Sequence, residues 1–294
     1  MLWNIVRSTG LSLAFAASLL FPPRCAGAAE YYLHGDIIGT VATHVTKPGD
    51  SLIELARTYD LGYNAIVAAN PVVDPILPYP GTTVVIPSLW IIPDVPRRQG
   101  IVINISEMRL YYFPPGHPSL AVTFPIGIGD EGWETPTGTY RIIQKIIHPA
   151  WHVPRSIQQQ RPELPAVMPP GPDNPLGTHA LRLSIGTVLI HGTNRPFGIG
   201  RKVSHGCIHL YPEDIPLLFR QARIGTRVAI VRQPIKAALV DGRVMIELHG
   251  GPEGDGYRAA YDFLVRKGLI TRVDPEKLAL AVAKQSGMPV DVSW

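Results

Sequence analysis

The sequence predicts a mainly β protein, α+β overall, in which a small mixed module precedes a β-sandwich or barrel and a C-terminal extension of a hairpin and helices. Its 294 residues are enough for more than one domain. Thirty prolines and 28 glycines, with 17% charged residues, are typical of a turn-rich β protein and argue against a helical bundle or a disordered chain. Between residues 99 and 232, short β-prone runs alternate with turn signals.

The first 28 residues have the pattern of a secretory signal peptide. Arg7 precedes an apolar run over residues 11–21, and Ala26-Gly27-Ala28 supplies an A-x-A cleavage site. A membrane anchor needs about 20 apolar residues, and Pro22-Pro23-Arg24 ends this run earlier. The same three residues lack the small side chains of a lipoprotein signal before Cys25. We therefore expect residues 1–28 to be removed, the mature chain to lie in the periplasm, and no membrane span to remain.

Removal of the signal peptide would leave Cys207 as the single cysteine. A lone cysteine outside the cytoplasm is a candidate reactive thiol, because it has no partner for a disulfide. The alternative is a small, buried apolar side chain. The formal charge of +4 comes without a basic run or a basic patch interleaved with aromatic residues, so we expect no nucleic-acid partner.

Residues 43–88 show strand, helix, helix and strand signals in that order. A β-prone run over residues 43–46 leads to a Pro-Gly-Asp turn, after which Asp50 or Ser51 can cap a helix with one apolar side. A second short helix ends at Asn70, because the following proline prevents its continuation. A Pro-Gly turn then leads into a strand over residues 83–86.

The motifs VTKPGDSLIELARTY, IVAANP and LPYPGTTVVIP in this segment resemble the LysM module, a βααβ fold that binds N-acetylglucosamine-containing glycans such as peptidoglycan. The resemblance implies a glycan site between the loop after the first strand and the loop after the second helix. The alternative is a βααβ scaffold without affinity for sugars, because a fold does not fix a function. The candidate glycan-binding residues are Gly49, Asp50, Ser51 and Asn70.

A predicted hairpin opens the larger domain after a linker over residues 93–100. Ile101, Ile103 and Ile105 alternate along one strand, and a tight turn joins it to a second β-prone run over residues 108–113. Five further runs have strand signals, at residues 120–126, 138–147, 180–183, 188–191 and 227–231.

Residues 147–180 form a proline-rich passage in which we expect no regular structure. Long insertions of this kind are usually functional lids or disordered spacers. A lid is the better interpretation, because Trp151 and Ile157 give the passage apolar side chains to bury.

The extension over residues 233–294 is different in character. Two β-prone runs flank Asp241-Gly242, a strong hairpin signal. Residues 257–269 and 274–287 have helical patterns, the second with Asp274 as its N-cap. Nothing in the extension points to chemistry.

Residues 190–215 bring together the side chains that carry chemistry. A cysteine attacks an acyl carbon as the thiolate, and a free thiol with a pKa of about 8.5 is mostly protonated at neutral pH. A neighbouring imidazole can take the proton and later return it to the leaving amine. His191 ends a strand, and His205 shares a face with Cys207 in an extended chain. Spacing alone leaves both histidines open as the base.

The alternation of His205, Cys207 and His209 also matches a zinc site, with His191 as a fourth ligand. Ligands at alternate positions of one flat strand rarely converge on a single ion, so we expect no metal and no other cofactor. Gly206 would allow a substrate to approach the backbone, and the amides around it can donate to a developing oxyanion.

The motifs HGT at residues 191–193 and SHGCIHL at residues 204–210 resemble the catalytic domain of the L,D-transpeptidases, the YkuD family. The motifs TPTGTY, AWHVP and PGPDNPLGTHALRL support the resemblance and extend it over residues 99–232. The motif PIKAALVDGRVMIELHG resembles the C-terminal extension of the ErfK/YbiS branch of that family.

The resemblance implies a role for each residue of the site. Cys207 would be the nucleophile, His191 its general acid and base, and the carbonyl of Gly192 the group that orients the imidazole. The family has an arginine where this chain has His209, which puts the binding of a substrate carboxylate in doubt, because a histidine with a pKa of about 6.5 is mostly neutral at neutral pH. The resemblance assigns Ser204, His205 and Gly206 to the nucleophile loop, and Trp151, Arg182, Thr193 and His209 to substrate binding.

The implied reaction is ping-pong acyl transfer on peptidoglycan. The thiol would attack the amide after the third residue of a tetrapeptide stem, release D-alanine and pass the acyl group to an amine. In family members of this branch the acceptor is a diaminopimelate amine or an outer-membrane lipoprotein. The alternatives are a Cys-His hydrolase, in which water resolves the thioester, and a wall-binding protein without catalysis.

Overall fold

The computed structural model describes residues 29–250 and 255–294. The predicted signal peptide, with Cys25, lies outside these residues. Within them, no helix combines the length and the apolar character needed to cross a membrane. The fold begins with strands β1 (Ala29–Tyr32) and β2 (Ile37–Gly39).

The small module has the predicted order of strand, helix, helix and strand. Its two strands pair antiparallel across the two helices. Ser51 caps the first helix, because its hydroxyl accepts the N–H of Glu54 at 3.3 Å; such a cap contributes about 1 kcal/mol. The elements are β3 (Ala42–Val45), α1 (Leu52–Thr58), α2 (Tyr63–Ala69) and β4 (Thr83–Ile86).

A nine-stranded mixed sheet forms the larger domain. The predicted hairpin is confirmed as β6 and β7, and β1 adds a strand at one edge beside β8. The strand order is β1-β8-β7-β6-β17-β10-β13-β14-β16. The elements of this region are β5 (Leu89–Ile91), β6 (Gly100–Asn104), β7 (Arg109–Phe113), β8 (Leu120–Pro125), β9 (Ile128–Gly129), β10 (Gly138–Ile147), β11 (Trp151–His152), α3 (Arg155–Gln160), β12 (Val167–Met168), β13 (His179–Leu183), β14 (Leu189–His191), β15 (Lys202–Ser204), β16 (Ile208–His209), α4 (Ile215–Gln221) and β17 (Arg227–Val231).

The sheet curls until its last strand meets the chain that follows β8. Gly127 and His209 exchange backbone hydrogen bonds of 2.9 Å in both directions, so β16 is bonded to the segment just after β8. A Cβ atom on Gly127 would lie 2.8 Å from the carbonyl oxygen of Gly198, so the close approach requires glycine. The curl gives the barrel-like form that the strand pattern predicted.

Alternate residues of β6 serve two different cores. Ile101 and Ile103 lie inside the curl, with the apolar residues of β7, β13 and α4. Val102 points to the opposite face, where it shares a core with Leu52 and Ile66 of the small module. The module therefore packs on the outside of the sheet, and both faces of β6 are buried.

The proline-rich passage is ordered, contrary to the expected lack of regular structure. β11 pairs antiparallel with β12, and α3 lies between them. The side-chain amide of buried Asn174 donates to the carbonyls of Pro149 at 2.9 Å and Pro169 at 3.0 Å. Its oxygen accepts the N–H of Leu176 at 2.9 Å. One side chain thus ties both ends of the insertion together.

The extension forms the predicted hairpin and helices. Asp241 and Gly242 have φ angles of +49° and +80°, the left-handed conformations that a two-residue hairpin turn of this type requires. Asp274 caps the last helix by accepting the N–H of Glu276 at 2.8 Å. The elements are β18 (Ile235–Val240), β19 (Arg243–Leu248), α5 (Gly256–Arg266), α6 (Pro275–Lys284) and β20 (Val290–Asp291).

Candidate active site

The pairing of β14 with β16 brings His191 next to the strand that directly follows Cys207. The two strands are parallel, with His191 opposite His209, and the two imidazole rings lie 4.5 Å apart. Cys207 directly precedes β16, two residues before His209. Because residues two apart along a strand share a face, continued alternation from His209 would put the Cys207 side chain on the same face as the His191 ring.

His191 is held by a backbone carbonyl, as the family resemblance implied. Its side chain is 2% exposed, and Nδ1 lies 2.6 Å from the carbonyl oxygen of Gly192. Since a carbonyl only accepts, Nδ1 carries the ring proton and Nε2 is the basic nitrogen. Burial lowers the pKa of His191 to about 4, although hydrogen bonds to the carbonyls of Gly192 and Leu176 partly oppose this shift. The ring is therefore neutral at neutral pH.

The thiol of Cys207 is half-buried. Its sulfur lies 3.9 Å from the carbonyl oxygen of Thr187. Burial raises the pKa of Cys207, while a backbone hydrogen bond from Leu189 and the positive charge of Arg182 lower it in part. At rest, the site therefore holds a neutral thiol and a neutral imidazole.

Two hydroxyl groups fix the carbonyls of the nucleophile loop. Ser204 Oγ donates to the carbonyl of Cys207 at 2.6 Å, and Thr135 Oγ1 donates to that of Gly206 at 3.2 Å. Gly206 has a φ of +92°, which favours glycine. Within the described part of the chain, the amide N–H groups of Gly206 and Cys207 form no hydrogen bond, so they remain able to donate to an oxyanion. Thr135 was missed as a site residue, although it lies in the quoted motif TPTGTY.

The structure separates the two histidines that spacing left open. His205 is exposed, and its ring packs against Trp133 at a centroid distance of 4.7 Å. Among the described residues, the one group of three possible metal ligands within reach of each other consists of Glu107, Glu247 and His249. The zinc arrangement considered for the nucleophile region is therefore not formed by these atoms.

The four candidate substrate-binding residues differ in their surroundings. Arg182 donates to Gln144 at 3.0 Å and to the carbonyl of Gly186 at 2.9 Å, and its charge reaches the thiol. Trp151 is half-buried in β11, and Thr193 is buried. Burial, with the nearby ring of His191, holds the pKa of His209 well below its usual value. A neutral His209 cannot replace the charge of the family arginine.

Three of the four candidate glycan-binding residues form side-chain hydrogen bonds within the module; they are Asp50, Ser51 and Asn70. Asp50 contacts His44 at 2.9 Å and accepts the N–H of Lys47 at 2.8 Å. The amide of Asn70 is buried and bonds to Val85 in both directions at 2.8 Å. The apolar side chains that face solvent in the loop before β4 were missed as individual candidates; they are Val72, Ile76, Leu77 and Tyr79.

The site has a half-buried thiol, an imidazole oriented by a carbonyl, and two amide N–H groups that have no partner among the described residues. This combination is typical of enzymes that transfer acyl groups through a cysteine. The family models agree with this class. The L,D-transpeptidase catalytic domain, YkuD, matches residues 98–230, and the LysM domain matches residues 44–87.

Known relatives cover most of the chain. The protein named Probable L,D-transpeptidase YcfS of Escherichia coli strain K12 is 41% identical over 87% of this chain and 85% of its own length. The protein named Probable L,D-transpeptidase ErfK/SrfK of Salmonella typhimurium is 38% identical over 84% of this chain and 83% of its own length. Among solved structures, L,D-transpeptidase 3 from Mycobacterium tuberculosis matches with a TM-score of 0.35 and 16% identity over 74% of this chain and 98% of that chain. The chain belongs to the L,D-transpeptidase family and is an enzyme of that family.

Proposed function

We propose that the enzyme acts in the periplasm on tetrapeptide stems of peptidoglycan, through a thioester on Cys207. The observation that carries this proposal is the pairing of β14, which ends at His191, with β16, which directly follows Cys207, together with the hold of Gly192 on the His191 ring at 2.6 Å. The membership in the L,D-transpeptidase family supports the choice of bond and substrate.

In the first half-reaction, His191 Nε2 takes the proton from the sulfur as the sulfur attacks the carbonyl carbon. A carbon–sulfur bond forms, and the oxyanion receives hydrogen bonds from the amides of Gly206 and Cys207. The carbon–nitrogen bond then breaks, and the imidazolium returns its proton to the amine of the leaving D-alanine. The product is an acyl thioester and a neutral imidazole.

In the second half-reaction, an acceptor amine attacks the thioester carbon while His191 takes a proton from its nitrogen. The carbon–sulfur bond breaks, and the sulfur recovers the proton. Water in place of the amine gives hydrolysis. The insertion that carries Trp151 would limit the entry of water, and acceptors for this step include a diaminopimelate amine or a lysine of an envelope lipoprotein.

The LysM module would hold the enzyme on the glycan. Because the module packs directly against the sheet, a bound glycan strand would keep its stems near the thiol and raise their effective concentration. The exposed loop from Val72 to Tyr79 supplies apolar surface for such a ligand.

A carbapenem and intact-mass measurement test the thioester. We expect one adduct on the mature chain, none on Cys207→Ala, and slow formation on His191→Ala. His117→Ala, which removes an exposed histidine from the loop between β7 and β8, is the matched control and should react at the parent rate. No adduct on the folded parent would exclude the proposal. Product analysis with isolated stem peptides then separates cross-linking from trimming, and periplasmic fractionation tests the location.

A further inference from the structure

An exposed tryptophan lies beside the nucleophile loop. Trp133 is 41% exposed, and its inner side contacts the ring of His205, two residues from Cys207. Single exposed apolar side chains are common on proteins, so exposure alone indicates nothing. What distinguishes this ring is its contact with the loop that carries the nucleophile.

The segment over residues 130–135 is bonded to the nucleophile loop and keeps the tryptophan in place. The N–H of Asp130 donates to the carbonyl of Ser204 at 2.8 Å, and the N–H of Trp133 donates to that of Asp130 at 2.9 Å. Thr135 bonds to Gly206 from the other end of the segment. The segment and the nucleophile loop are therefore bonded to each other at both ends, which helps to pre-organise a ligand site along them.

The two sides of β16 differ in charge. On one side lie β14 and β13, which carries Arg182. On the other side lies the chain from Gly127 into residues 130–135. Two cations, Lys202 and Arg232, act on this segment. The segment itself carries three carboxylates, so the group as a whole has an excess of negative charge. The three exposed carboxylates are those of Asp130, Glu131 and Glu134.

We propose that Trp133, backed by His205 and flanked by these carboxylates, binds the protonated amine of the acyl acceptor. The inference rests on the proposed function, because an acceptor site needs a thioester to serve. A cation is attracted to the face of an indole ring within about 6 Å, and the negative segment favours an ammonium over the carboxylate-rich donor stem. The donor then occupies the Arg182 side of the sulfur.

The bound ammonium loses its proton to solvent before the chemical step. The neutral nitrogen attacks the thioester carbon, a carbon–nitrogen bond forms, and the carbon–sulfur bond breaks. A second proton passes from the nitrogen to His191 and then to the sulfur. The site therefore needs no further reactant.

The test compares the two half-reactions in the full mature chain. The donor is a disaccharide tetrapeptide, and the acceptors are Nα-acetyl-lysine amide, which is cationic, and hydroxylamine, which is mostly neutral at pH 7.5. In Trp133→Ala we expect the lysine concentration for half-maximal transfer to rise about fivefold, the value of an exposed cation–π contact. In Trp133→Phe this concentration should lie between the values of the parent and of Trp133→Ala. Glu131→Gln should raise it by about twofold. Transfer to hydroxylamine should change less in each variant.

Trp294→Ala removes another exposed tryptophan, at the C-terminus, and serves as the matched control. Slower thioester formation in Trp133→Ala, with an unchanged lysine concentration for half-maximal transfer, would place the ring on the donor side and overturn the inference. Equal effects on both acceptors, or no effect on either, would overturn it as well. Failure of the proposed function is distinguishable, because the parent would then form no thioester.

Discussion

Burial acts in opposite directions on the two reactive side chains. It raises the pKa of the Cys207 thiol and lowers that of the His191 imidazole to about 4. Both groups are therefore neutral over the range between these two pKa values. The thiolate–imidazolium pair forms during attack, where the substrate oxyanion and the loop amides can stabilise the separated charges.

This neutral pair predicts a flat pH profile for acylation by a carbapenem. Imidazole protonation removes the base only as the pH falls towards 4, and thiol ionisation begins only above the ordinary cysteine pKa. We expect second-order rate constants to be nearly constant from about pH 5 to 8. In His191→Ala the rate should instead rise about tenfold per pH unit, because only free thiolate reacts. A rise in the parent centred near pH 6.5 would contradict the buried, neutral imidazole.

Thr135 offers a second test at the level of one residue. Thr135→Val removes a hydroxyl that donates to Gly206 at 3.2 Å and accepts the N–H of Gly129 at 3.0 Å. We expect the free energy of unfolding to fall by about 1–3 kcal/mol and acylation to slow about tenfold, because the nucleophile loop is less well positioned. Thr135→Ser keeps the hydroxyl and should retain most of the stability and most of the acylation rate. A loss of stability with unchanged acylation would show that the hydroxyl supports only the fold.

Individual elements could be predicted where local signals decide them. The Asp241-Gly242 turn, the Asp274 cap and the alternation in β6 all follow from rules that act over a few residues. The curl of the sheet could not, because it depends on a bridge between Gly127 and His209, 82 positions apart in the chain. For the same reason spacing did not choose between the two histidines: the choice depends on the pairing of β14 with β16.

The insertion shows how one polar side chain can organise an element that sequence patterns miss. Asn174→Ala should free both ends of the insertion, since its amide bonds to Pro149, Pro169 and Leu176. We expect trypsin to cut faster after the exposed Arg155, and the carbapenem acyl-enzyme to hydrolyse faster because water gains access.

Asn194→Ala is the matched control for this change. It removes one exposed hydrogen bond, to the carbonyl of Asp173 at 2.8 Å, and should have a much smaller effect. Unchanged cleavage in Asn174→Ala would show that this side chain does not hold the two ends of the insertion together. Equal acceleration at arginines throughout the chain would indicate global unfolding instead.

The three parts of the molecule form one packed body. Val102 and Tyr111 of the sheet share a core with the module, and Arg57 of α1 forms a bidentate pair with Glu213 at 2.8 and 2.9 Å. Gly62 and Gly200 meet so closely that a Cβ atom on Gly62 would lie 3.0 Å from the other Cα. The module thus packs against the loop that leads to the nucleophile, an arrangement that a linker pattern in the sequence does not reveal.

Lys236 joins the extension to the larger domain at a buried point. Its ammonium lies 2.7 Å from Glu107 of the sheet and 2.8 Å from Glu247 of the extension, and it donates to the carbonyl of Ile91 at 2.6 Å. The ammonium therefore lies between Glu107 and Glu247, two of the three side chains that are close enough to share a metal ion. Burial disfavours the charge on Glu247, but the attraction of Lys236 and the hydrogen bond from His249 outweigh it and lower its pKa.

Lys236→Met should therefore destabilise the whole chain. Loss of one partner leaves buried carboxylates without a cation, which costs about 3–5 kcal/mol of unfolding free energy, measured by urea denaturation. Arg243→Met, which breaks an exposed pair with Asp291 at 2.9 Å in the same extension, should cost less than about 1 kcal/mol. Adding Glu247→Gln to Lys236→Met should recover part of the loss, since one unpaired charge is removed. Circular dichroism and tryptophan fluorescence should report one common transition in the parent. Separate transitions, or a Lys236→Met loss no larger than that of Arg243→Met, would refute the idea that this cluster binds the extension and the larger domain into one cooperative unit.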